Sequence, residues 1–171
     1  MFNKADIEKY FIAEKSESLL FIIIGIAAII LAIVFVLILK TNFYKGTALP
    51  LFLIALIQLT VGITVYKRSD ADRKRNIYAY DLNPAELRYK EIPRMEMVNR
   101  NFVIYRWVEI GLLAAGIILI FVYRSKPDKD LFYGAGIGLA IQALIMLSAD
   151  YFAEKRAKDY TKGLKDFTAK P

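Results

Sequence analysis

The chain is 171 residues long and 57% apolar, carries a formal charge of +7, and contains neither histidine nor cysteine. It can therefore form no disulfide, offers no imidazole or thiolate to zinc, haem, copper or an iron–sulfur cluster, and cannot run a Ser-His or Cys-His nucleophile. No cofactor is expected, and any chemistry is narrowed to Asp, Glu, Lys, Arg, Tyr, Ser and Thr.

Residues 1–18 mix four acids with three lysines. They read as a cytoplasmic amphipathic helix from about Asp6 that lays Ile7, Tyr10 and Phe11 along a membrane surface, with Glu14 and Glu17 three residues apart. Residues 19–39 follow with no polar side chain at all. A helix rises ~1.5 Å per residue and a bilayer's hydrocarbon core is ~30 Å thick, so this run is long enough to span. No small-x-small cleavage site follows it, so it is expected to stay attached rather than act as a removable signal peptide. A second apolar run, 47–66, completes a hairpin over 19–66.

The connector 67–106 opens on Lys67, Arg68, Arg73, Lys74 and Arg75. With Lys155 and Arg156 beyond the last span, these basic residues are expected to contact anionic lipid headgroups. Asp70 and Asp72 interrupt the cluster, and it is too sparse for a nucleic-acid surface. Asn83-Pro84-Ala85-Glu86 has the form of a helix start, with Asn to cap and Pro at the first position. A short helix over 84–91, a break before Pro93 and a helix from Arg94 into the third span are expected.

The third span, 107–123, has Glu109 at its inner edge and Arg106 one turn earlier on the same face. Glu14, Glu17, Arg106 and Glu109 are the candidate charge network at the membrane rim. The fourth span, 131–149, closes a second hairpin over 107–150. Along it Gly134, Gly138, Gln142 and Asp150 recur at multiples of four residues, a stripe expected to join Gln58 in packing the second and fourth spans together through small residues and interhelical hydrogen bonds. The tail 151–171 reads as a basic cytoplasmic helix fraying near Gly163.

Shifting the chain by 88 residues aligns 22–68 with 110–156 without a gap, and 14 of the 47 positions are identical, including Gly46/Gly134 and Lys67-Arg68/Lys155-Arg156. This reads as a duplicated hairpin, its two units parallel because each holds an even number of spans. Of the 24 Lys and Arg residues, 19 lie before Leu19, between Tyr66 and Trp107, or after Ala149. By the positive-inside bias both termini and the connector are cytoplasmic.

The fold expected is an all-α integral membrane protein: four transmembrane helices as two parallel-related helical hairpins, an N-terminal interfacial helix and a partly helical cytoplasmic loop. The location expected is a bacterial inner membrane. The function expected is non-enzymatic, through protein–protein contacts at the cytoplasmic face, as a subunit of a membrane complex or an immunity or defence accessory. The alternative is a small oligomeric channel or transporter. Expected partners are the bilayer, another protein or a second copy of the chain, and no nucleic acid.

Overall fold

The structure is a computed structural model and describes residues 2–169. Every element among them is helical, and all four rods are long and apolar enough to cross a membrane: α1 (Lys4–Leu39), α2 (Asn42–Leu82), α3 (Pro84–Tyr123) and α4 (Pro127–Thr168). They run 36 to 42 residues, hence ~54–63 Å, about twice a hydrocarbon core. The tips at 40–41 and 124–126 lie together at one end. The extra length therefore projects at the other end as an overhang made of 4–18, 67–82, 84–106 and 151–168.

Local sequence sets the helix ends. Asn3 Oδ1 accepts from the Ala5 N–H at 2.8 Å while Asp6 Oδ2 accepts from the Asn3 N–H at 2.8 Å, a reciprocal cap. At the far end of α1 a wide π-type turn, Phe35–Leu39, closes on Lys40, whose φ of 59° puts a non-glycine residue in the left-handed region as the chain reverses.

The overhang departs from the sequence expectations in five places. No separate surface helix forms at the N-terminus. The α-helical part of α1 is unbroken over Lys4–Val34, and Ile7, Tyr10 and Phe11 point inward because the other rods continue beside them. Residues 67–82 are the end of α2 rather than a connector: Ser69, Asp72, Asn76 and Ala79 form a buried stripe at helical spacing, while Arg73–Asp70 (3.3 Å) and Arg75–Asp72 (3.0 Å) pair one turn apart. There is no break before Pro93, because a second wide turn, Leu87–Glu91, takes up the distortion that the proline ring imposes on the preceding turn. Asn83 makes no side-chain cap, although Pro84 does occupy the first turn. α4 continues through Gly163, which rests against the Phe2 ring, to Thr168. Positions 1, 170 and 171 of the expected terminal segments lie outside the described residues.

Two kinds of packing hold the rods. The overhang has a side-chain core in which Ile7, Phe11, Leu87, Met95 and Leu164 are almost wholly buried and the Tyr10 and Tyr160 rings stack 4.1 Å apart. Each such aliphatic or aromatic side chain contributes about 1.5–3 kcal/mol by burial. In the apolar half the order is α1 on α2, α2 on α4, α4 on α3. Only 17% and 11% of the most apolar windows of α1 and α3 are buried, against 39% and 28% for α2 and α4, so the latter two are central.

The α2–α4 contact is backbone on backbone. A Cβ on Gly46 would overlap the Leu131 carbonyl oxygen, and one on Gly134 would overlap the Phe43 carbonyl oxygen. Since residue 131 is 43 shifted by 88, the two contacts are reciprocal. At Gly138 a Cβ would lie 2.7 Å from both the Thr47 carbonyl oxygen and Pro50 Cγ, and Thr47 Oγ1 donates across the gap to the Gly134 carbonyl at 3.0 Å.

Candidate functional site

Charges collect where the apolar windows meet the overhang, and the four rim residues expected from sequence divide among separate partners. Glu14 accepts from Ser69 Oγ at 3.0 Å and from Arg68 at 3.4 Å. Glu17 receives both arms of Arg156, Nη1 at 2.5 Å. Arg106 donates to Glu154 Oε1 at 2.5 Å, and Lys158 reaches the same oxygen at 2.6 Å. The expected single network is therefore not formed, and Arg106 meets neither Glu109 nor the N-terminal acids. Helical side chains lean toward the N-terminus of their own helix, which carries the long Arg106 stem away from Glu109 and toward Glu154 on α4.

Glu109 is thereby left without a basic partner. It is 1% exposed, and neither carboxylate oxygen has a hydrogen-bond partner among the described residues. Asp150 on α4 is its neighbour. Both acids open into one cavity of about 320 Å³ between α3 and α4, walled by Phe102, Leu147 and Tyr151, with Arg106, Glu154, Lys155 and Lys158 toward the overhang.

The expected packing stripe splits. Gly134 and Gly138 face α2, but a spacing of four residues advances ~40° per step, so at Asp150 the stripe has turned ~160° and faces α3 instead. Gln142 and Gln58 are both buried, yet neither amide atom of Gln58 nor Nε2 of Gln142 finds a partner among the described residues. The register of the α2–α4 contact places Gln142 level with Ile54 and Gln58 a further ~5.4 Å turn along. Thr47, not a glutamine, supplies the hydrogen bond between these helices.

Of the seven basic residues expected at lipid headgroups, four are engaged internally: Arg68 with Glu14 and Asp72, Arg73 with Asp70, Arg75 with Asp72, and Arg156 with Glu17. Lys67, Lys74 and Lys155 make no ion pair among the described residues. Lys15 bonds Asp70 at 2.5 Å, tying α1 to α2; that hydrogen bond raises the lysine's pKa and lowers the aspartate's.

One polar cluster was not read from sequence. Inside the overhang, Glu91 is 1% exposed and accepts two bonds from Arg94, at 2.6 and 2.9 Å, and one from the Tyr160 hydroxyl at 3.4 Å. The Arg94 guanidinium lies 5.6 Å from the Phe11 ring centroid. Burial alone would lower the Arg94 pKa, but the hydrogen bonds and charge of Glu91 outweigh it and hold Arg94 above its ordinary value. Burial pushes the Tyr10 and Tyr160 phenols up. Glu91 and Arg94, one turn apart, are a visible signal; Tyr160, some seventy residues on, is not.

No protein-family model, curated protein or solved structure matches this chain.

Proposed function

We propose that the chain is a non-catalytic, multi-pass protein of a bacterial inner membrane. It works through protein contacts on its overhang, which faces the cytoplasm, as a subunit of a membrane complex or as an immunity or defence accessory. The observation that carries this reading is the overhang itself, which extends each rod to about twice membrane length around a dedicated core. Its surface leaves large side chains uncovered: Tyr78 and Leu82 one turn apart on α2, and Tyr89 on the wide turn of α3, are 60%, 69% and 73% exposed. Lys67, Lys74 and Lys155 suit the anionic lipid of a cytoplasmic leaflet.

The two hairpins form parallel-related units in this reading. The reciprocal Gly46 and Gly134 contacts support it, as two copies of one hairpin meeting about an axis along the rods would make that contact twice.

A photo-crosslinking residue placed at Tyr78, Leu82 or Tyr89 in growing cells tests the docking surface. The expected outcome is one discrete adduct with another protein at these positions and none at Lys126 on the opposite tip. Uniform background at all four positions, together with cation flux in proteoliposomes containing only this chain, would replace docking with the channel alternative.

A further inference from the structure

We propose that the cavity between α3 and α4 is a binding site for a small amphipathic organic cation, an ammonium group on an apolar body, with Glu109 and Asp150 holding the ammonium. This goes beyond the docking surface and does not depend on it. Glu109 is buried, has no basic partner among the described residues, and lines with Asp150 a space far larger than one water, whose share of the liquid is about 30 Å³. Arg106 and Lys158 both bond Glu154, and Lys155, the third cation of the lining, forms no ion pair with Glu109 or Asp150. Two acids so placed repel each other when both are ionised, and a cation held between them relieves that repulsion.

The walls specify what kind of cation. The cavity combines apolar sides with a few placed charges, as small-molecule sites do, and Phe102 and Tyr151 offer aromatic surface of the type that attracts ammonium groups. Tyr151 forms part of the wall and is itself 64% exposed, so the cavity borders the outer surface of the rods. The other hairpin lacks the site. Eighty-eight residues before Asp150 stands Gly62, where a Cβ would already lie 3.0 Å from the Ser18 carbonyl and Ile22, and Phe21 stands in place of Glu109. Where the first hairpin closes on Gly62, the second carries Asp150 beside the cavity.

The full chain in mild detergent is titrated with benzylammonium, with neutral benzyl alcohol and with sodium chloride, by calorimetry and thermal melting. Benzylammonium is expected to bind saturably and benzyl alcohol not to. Glu109→Gln should weaken binding about tenfold or more, as loss of a charged hydrogen-bond partner does. Leu147→Trp should abolish binding by filling the cavity while leaving both acids in place. Equal uptake of benzylammonium by the wild type and both variants would mean micelle partitioning only and would overturn the site. Equal protection by sodium alone would overturn the organic ligand in favour of a bare ion.

Discussion

At the scale of single residues, the strongest expectations concern groups whose partners are few and desolvated. Arg94→Ala removes two of the three hydrogen bonds to a carboxylate that is 1% exposed, leaving it the Tyr160 hydroxyl and, at 3.8 Å, Arg75, and breaking such a buried pair costs up to about 3–5 kcal/mol. The melting temperature in detergent should fall sharply, and Arg94→Ala with Glu91→Gln should recover part of the loss. The rim behaves differently. Arg106 leaves Glu154 still bonded to Lys158, so Arg106→Ala should cost about 1 kcal/mol or less. Its effect should add to that of Glu109→Gln and couple instead to Glu154→Gln in a double-mutant cycle. The tyrosines give a pH dependence whose sign follows from burial. Tyr10 and Tyr160 have pKa values raised in the fold from an ordinary 10.0. Their stabilising effect is therefore complete below that value and is lost as rising pH ionises the unfolded chain first. Thermal melts should deteriorate above about pH 10, and Tyr160→Phe should make the decline shallower.

At the scale of helices, the α2–α4 contact makes the clearest prediction, because it tolerates no Cβ. Gly134→Ala should cost about 1–3 kcal/mol, as overpacking does. Gly111→Ala, whose Cβ would meet nothing within 4 Å, should be neutral or stabilise by up to about 1 kcal/mol through helix propensity. Equal melting temperatures for the two variants would contradict this backbone contact. The contrast also shows what could be read in advance. Apolar runs are legible because a span needs length and uniformity, and Gly134 and Gly138 because small residues one turn apart mark close approach. The continuation of α2 through 67–82 was not legible: its buried stripe is Ser69, Asp72, Asn76 and Ala79, which shows no hydrophobic periodicity, and its charges resemble a loop. The Glu109 cavity was half legible. The acid stands out in sequence, but its separation from Arg106 depends on side-chain direction, and its approach to Asp150 depends on how far a four-residue stripe winds.

At the scale of the whole molecule, the absence of cysteine makes orientation directly measurable. Single cysteines at Lys45 and Lys126, exposed at the two tips, should react with an impermeant reagent in intact cells, and one at Lys74 on the overhang should react only after lysis; the reverse pattern would turn the molecule over. The core of the overhang has a further consequence, for synthesis. It joins Ile7 and Phe11 near the start of the chain to Tyr160 and Leu164 near its end, so the cover over the first residues is incomplete until the last helix has left the ribosome. At about 5–20 residues per second, the N-terminal apolar face of α1 waits on the order of ten seconds or more only partly covered, although its own membrane-length segment could already be inserted. Nascent chains should then depend on a holdase during that interval. A chain stopped after Lys155 should keep all four apolar segments yet be cleared by proteolysis faster than the full chain in a pulse-chase experiment, since the part of the core that Ala157, Tyr160 and Leu164 supply around Ile7 and Phe11 never arrives.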